Sequence, residues 1–259
     1  MRHFARGPVS ALAALLLTVS GCSSAKKTSS AEVLLNERMA AVLLRDGRAV
    51  EAERAYREVL PHDSRNAEIH DGLGVALLLQ GRYKESYSSF DRAVDLDSEK
   101  PLYRIHRGMA SLELGRFKEA DADFDKAESS PAPEDRLDAA INRGRLKQRQ
   151  KDFAAAEEAF STALSRDPKS SAALIGRGIA RESSGSMERA AADYLEAVRI
   201  DPKNAEATLR LGLALVMLKK TALGRRYLER TIELDPTGET GARARLLLEG
   251  NPGSSAPRS

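Results

Sequence analysis

The 259-residue chain has no tryptophan, one cysteine and few aromatics. A single cysteine, at position 22, leaves no partner for an internal disulfide, so stability must come from packing. The four histidines (His3, His62, His70 and His106) are scattered, and no thiol stands near any of them. Neither a metal site nor a Cys–His nucleophile pair can be assembled from that set. Charge of one sign is also missing, with 41 Lys and Arg against 38 Asp and Glu. Without a basic tract or an aromatic stacking platform, the chain lacks the means to hold nucleic acid. The apolar run near the start, Val9 to Val19, spans eleven residues. A bilayer-crossing helix needs roughly 20. What is abundant is alanine and leucine, the composition of close-packed helices, and the expected fold class is all-α.

The cysteine sits in an informative place. Arg2 and Arg6 begin the chain, no acidic residue precedes Cys22, and the apolar run ends in Val19-Ser20-Gly21-Cys22. A charged start, a short apolar stretch and small residues at its end read as a secretory signal. The last four residues resemble a bacterial lipobox. That resemblance implies a diacylglyceryl group on the Cys22 thiol, removal of residues 1–21 and acylation of the new amino terminus. Losing Arg2 and Arg6 would take the formal charge from +3 to +1. Residues 22–31, which include "SSAKKTSS", then read as a flexible tether. In Gram-negative lipoproteins Asp after the lipidated cysteine retains the protein in the inner membrane. Here Ser23 follows, which implies the outer membrane, facing the periplasm.

The rest of the chain is periodic. Small residues recur at Ala40, Gly74, Gly108, Gly144, Gly178 and Gly212, in steps of 34 except for one of 36. Sixteen residues after each stands Tyr56, Phe90, Phe124, Phe160, Tyr194 or Leu228. Between them lie Ala52, Ser86, Ala120, Ala156, Ala190 and Gly224, and three repeats close with Asp-Pro, at Asp167, Asp201 and Asp235. Gly81 and Gly115 mark turns where a helix can end in a left-handed cap. Two extra residues in "ESSPAPED" are expected to lengthen a loop before repeat four.

This pattern resembles the tetratricopeptide repeat. The resemblance implies six helix pairs stacked into a right-handed α-solenoid over residues 32–249. "ETGARARLLLEG" (239–250) would add a capping helix with Ala242 and Leu246 turned inward. Residues 250–259 read as a disordered tail.

Function then has few places to sit. Arg107, Arg143 and Arg177 precede three of the key glycines, but Asp123 and Asp193 lie sixteen residues after the first and third, so ion pairing within repeats accounts for them. No catalytic constellation is present, and no cofactor or metal is expected. In the resembled family helix A lines the concave surface, with positions five, nine and twelve facing the groove. Here Ile105, Ile141, Ile175 and Leu209 occupy position five and Met109, Arg145, Ile179 and Leu213 position nine. With Leu102 and Val216 they make an apolar trough flanked by Arg145, Arg149 and Glu182, suited to an amphipathic helix or an extended apolar segment of a protein partner. A lipobox followed directly by six such repeats resembles the pilotins of type IV pilus systems. That implies a passive lipoprotein that binds secretin subunits and helps them reach and assemble in the outer membrane. The related lipoprotein of Flp/Tad pilus assembly and an envelope adaptor of the NlpI kind, which recruits peptidoglycan enzymes, share the plan.

Overall fold

A computed structural model describes residues 30–250. Cys22, the signal and most of the tether, and residues 251–259 lie outside the described residues. Within them the chain forms thirteen helices and no strand. They run α1 (Ser30–Arg45), α2 (Ala49–Val59), α3 (Ala67–Leu79), α4 (Tyr83–Leu96), α5 (Pro101–Glu113), α6 (Phe117–Glu128) and α7 (Pro133–Arg149). There follow α8 (Phe153–Arg166), α9 (Ser171–Ser183), α10 (Met187–Ile200), α11 (Ala205–Met217), α12 (Thr221–Leu234) and α13 (Glu239–Glu249). The first twelve pair as helices A and B of six repeats, and α13 packs on α12 and α11.

Four of the six pairs are locked by an aromatic ring seated on a glycine. A β-carbon placed on Gly74 would stand 2.5 Å from the Phe90 ring, and one on Gly108 2.6 Å from Phe124. The same construction gives 2.7 Å from Phe160 at Gly144 and 2.4 Å from Tyr194 at Gly178. Phe160 is also covered by Gly176 of the next repeat, at 2.4 Å, so one ring joins two repeats. All four rings are fully buried. The small residue on helix B completes the approach: Ser86 donates from Oγ to the Gly74 carbonyl at 2.8 Å. In the sixth repeat Leu228 replaces the aromatic, and Gly224 comes so close that its β-carbon would lie 2.7 Å from the Gly212 carbonyl oxygen.

The turns follow from backbone bookkeeping at helix ends. At Gly81, φ is +73°, and its N–H donates to Leu78 O while that of Arg82 donates to Leu77 O, the paired bonds of a Schellman cap. Lys151 and Lys219 hold φ near +60° at equivalent turns, where an L side chain is disfavoured. Between repeats the aspartates do the work attributed to Asp-Pro. Asp167 and Asp201 accept from the backbone N–H two residues on, at 2.9 and 3.0 Å. Asp97 does so at 3.2 Å with no proline after it, which is why Ser98 is tolerated there.

Two expectations are corrected. The extra residues of repeat three do not lengthen a loop: α7 begins at Pro133 and runs 17 residues, against 13 in α5. A proline at the first helical position and Glu134 and Asp135 in the first turn favour that earlier start. Ser130 accepts from the Ala132 N–H and donates to Asp135 at 2.9 Å, fixing the entry. In the capping helix Leu246 points out, at 69% exposure, and Ala242 is only half-buried. Ala244 is the buried residue, with Leu247 and Leu248 packed against its cluster.

A leucine at Gly178 must displace the Tyr194 ring, so Gly178→Leu should lose about 1–3 kcal/mol of stability. A thermal melt matching the parent would show that helices A and B do not meet there. Lys151→Gly should move the melt upward, by about 1 kcal/mol, because it relieves a left-handed side chain.

Candidate functional site in the concave groove

Helix A meets the next helix A at four seams, α1 with α3, α3 with α5, α5 with α7 and α7 with α9, and the capping helix α13 meets α11. This row of helices forms the floor on which a partner would lie. The position-five residues do not point openly into it. Ile105, Ile141 and Leu209 are 2%, 7% and 1% exposed, so the expectation that they line an open trough is corrected. Ile105 packs with Ala127 and Ala139, and Ile141 joins the Phe160 cluster. Leu209 lies with Leu228 and Ala244. Neighbouring A helices are close enough that this position fills the seam between repeats.

The remaining candidates are more accessible. Leu102, Met109, Ile175, Ile179 and Leu213 are half-buried, and Arg145 and Arg149 are exposed. They do not form one trough. Met109 and Arg145 come together in a cleft of about 210 Å³ with Leu78, Tyr83, Leu112, Glu113 and Asn142. Sequence reasoning named only Met109 and Arg145 and missed Leu78, Tyr83, Leu112, Glu113 and Asn142. Leu78 occupies position twelve, so the register held that signal, but Tyr83 comes from the start of helix B. Arg145 donates to Asn142 Oδ1 at 3.1 Å, and Arg149 pairs with Glu113 at 3.3 Å, so both arginines rest on the rim. Leu213 and Val216 instead line a hollow of about 300 Å³ at the far end, with Leu228, Leu246, Leu247 and Leu248.

Polar bonds interrupt the floor between these two places. Gln148 donates to the Gly176 carbonyl at 2.8 Å. The Tyr194 hydroxyl donates to Glu182 Oε2 at 2.6 Å, and Arg210 lies 3.8 Å from the same carboxylate. Burial, and then Glu182 beside it, push the Tyr194 hydroxyl far above its ordinary range.

The amino-terminal half is acidic. His106 Nδ1 donates to Asp71 Oδ1 at 2.8 Å. Burial raises the pKa of Glu37, and Glu68 and Asp63 raise it further. The Tyr56 hydroxyl is pushed up to about 12 by burial and then by Glu37, Asp71 and Glu68. Asp138 is raised by burial and by Asp135.

The arginines before the key glycines are held in ion pairs, Arg107 and Arg177 at the spacing that implied it and Arg143 with the preceding repeat. Arg107 grips Asp123 with Nε at 2.9 Å and Nη2 at 2.6 Å, and Asp91 with Nη1 at 2.7 Å. Arg177 grips Asp193 in the same way, at 3.1 and 2.8 Å. Arg143, which has Ala159 where the others have Asp, turns to Asp121, Asp125 and Glu128. Among the described residues no group of three or more His, Cys, Asp or Glu is placed to hold a metal ion.

A carboxyl whose folded-state pKa is raised opposes folding once ionised. That cost is absent below the unfolded pKa, about 4.3 for glutamate, and grows as pH rises through the folded value. Glu37→Gln should therefore stabilise the fold at pH 7, and the gain should vanish in melts below about pH 4. A gain equal at both pH values would assign the effect to packing.

Comparison with known proteins agrees with this geometry. A family model described as tetratricopeptide repeat matches residues 38–101 and 141–205. The structure of PilW, a widely conserved type IV pilus biogenesis factor, superposes with a TM-score of 0.71 at 17% identity, covering 84% of this chain and all of that one. Pseudomonas aeruginosa pilF gives 0.65 at 18% identity, over 83% of this chain and 97% of that one. In sequence, the chain is 31% identical over 116 residues to a heat-shock cognate co-chaperone, sgt12, of Aspergillus fumigatus, covering 45% of this chain. The chain spans about a third or less of the length of the curated relatives it matches. Six helix pairs on a period of about 34 residues, four of them locked by a ring on a glycine, make this chain a tetratricopeptide-repeat protein.

Proposed function

We propose that the chain is a lipoprotein of the bacterial outer membrane, acylated at Cys22, that acts as a pilotin: it holds a secretin subunit and helps it reach and assemble in that membrane. The observation that carries this reading is a lipobox standing directly before an array that matches PilW over that protein's whole length. The fold itself is a scaffold for protein binding. No helix among the described residues is long and apolar enough to cross a membrane, and a lipid on Cys22 would supply the attachment. The Met109–Arg145 cleft has the volume for one apolar anchor side chain, with guanidinium groups at its edge for a carboxylate of the partner. An amphipathic helix or extended segment of the secretin fits that chemistry. The mechanism is passive: groove contacts shield the segment while the acyl chains sort the pair.

Cys22→Ala should lose both palmitate labelling and sedimentation with the outer membrane. A variant that keeps label and fractionation would overturn the anchor. Arg145→Glu, at an exposed position on the rim of the cleft, should leave the circular-dichroism melt close to that of the parent. It should weaken recovery of the secretin from crosslinked membranes by tenfold or more, since anchor residues carry about 2 kcal/mol. Undiminished recovery would move the site off this cleft, and recovery of peptidoglycan hydrolases in place of a secretin would replace the pilotin reading with an envelope adaptor.

A further inference from the structure

The two ends of the array are finished differently. Positions three and ten of helix A meet helix B of the preceding repeat. In repeats two to six these ten positions, Ile69 and Leu146 among them, are at most 2% exposed. In repeat one they hold Leu35 and Val42, which are 56% and 39% exposed. With about 3.6 residues per turn, Leu34, Arg38, Ala41 and Arg45 fall on the same arc of α1 as Leu35 and Val42. All six are exposed. No acidic residue interrupts that arc, and Glu37 sits half-buried on the flank turned to the groove. The far end is covered, because α13 packs on α11 and α12.

The length and charge of the chain ahead of α1 say what covers this face. Only seven residues separate Cys22 from Ser30, and Lys26 and Lys27 are among them. Even fully extended, that connection reaches no more than about 30 Å. Acyl chains on Cys22 would therefore hold repeat one, of all the repeats, against the bilayer. Leucine and valine mixed with arginine, without acid, is the surface of a helix that lies in the interface of an anionic membrane. A second copy docked on this face about a twofold axis would bring Arg38 and Arg45 toward their own counterparts, and like charges disfavour that pairing.

We propose that the exposed face of α1 lies on the surface of an anionic phospholipid bilayer, so that the solenoid stands on its first repeat with the groove directed away from the lipid. This rests on the reading of Cys22 as the lipid anchor. The contact spreads the load of attachment over a protein surface and fixes the orientation of the array, which seven residues of tether alone would leave free.

Because the chain has no tryptophan, a single introduced one reports without background. Full-length Leu35→Trp protein, extracted from membranes, is reconstituted into phosphatidylethanolamine–phosphatidylglycerol vesicles with and without brominated acyl chains. Its emission should shift to the blue and be mostly lost to bromine, whereas Met217→Trp, at an exposed site in repeat six, should keep both its wavelength and its intensity. Adding Arg38→Glu and Arg45→Glu should restore the Leu35→Trp emission without changing the melt. Emission at Leu35→Trp that ignores bromine overturns the contact. So does a blue shift without quenching accompanied by a doubled mass in sedimentation, which would seat a second copy on the face. The anchor is read separately, from the mass of the Cys22 peptide and flotation of the parent protein. A floating parent with unquenched Leu35→Trp keeps the anchor and ends this proposal, and an unacylated parent whose Leu35→Trp is quenched ends the anchor and keeps the contact.

Discussion

A ring packed against a glycine sixteen residues earlier is the contact on which the rest of this molecule depends. It sets how closely helices A and B approach, and it does so by exclusion: any β-carbon at Gly74, Gly108, Gly144 or Gly178 would enter the space the ring fills. Dispersion and burial at such a contact are large because the ring touches backbone on one side and side chains on all others. Phe160, held between Gly144 and Gly176, carries the same contact across the boundary between repeats. The period of 34 residues then follows from the need to present ring and glycine to each other again at the next pair. A stack of such pairs gains stability from neighbouring interfaces more than from any distant contact, as expected for a quasi-one-dimensional array.

That contact is also why so much of the fold was legible. Glycine and aromatic residues have few substitutes in this role, so their spacing survives in the sequence, and the Arg–Asp pairs at the same spacing of sixteen came with it. The groove was harder. A period assigns Ile141 and Leu209 to the face that helix A turns inward, but not how near the next helix A stands, and that distance buries them. Leu246 was misassigned for a related reason: α13 belongs to no repeat, so its inner stripe of Ala244, Leu247 and Leu248 had no register to read it from. The insertion at repeat three failed differently. Proline in "SPAP" suggested a loop, yet Pro133 at the first helical position has no N–H to lose and starts the helix early.

The floor of the groove is built in three stretches with different chemistry. Its amino-terminal part holds Glu37, whose raised pKa marks incomplete compensation among neighbouring carboxylates. The middle offers the small apolar cleft around Met109 with arginines at its rim. Beyond it Tyr194, Glu182 and Arg210 bond to one another, so their polar groups are already satisfied before any partner arrives. A ligand that follows this floor gains most where the protein's own pairing is poorest, which favours a segment with basic groups toward repeat one and an apolar anchor at the middle.

The same reasoning separates the two ends. An array of nearest-neighbour interfaces leaves one open face at each terminus, and each must be covered or pay for contact with water. At the carboxyl end the chain supplies its own cover, with Leu209, Leu228 and Ala244 closing into one cluster under α13. At the amino end the described chain begins with the open helix itself, and its outer arc mixes exposed apolar and arginine side chains at the face that repeats two to six bury. In repeats two to six positions three and ten hold seven alanines with Ile69, Tyr103 and Leu146, all of them buried. Leucine and valine interleaved with arginine suit a surface that is soft, apolar within and charged at its boundary. The face that meets a preceding helix B in repeats two to six is therefore, in the proposed arrangement, turned at repeat one to the bilayer.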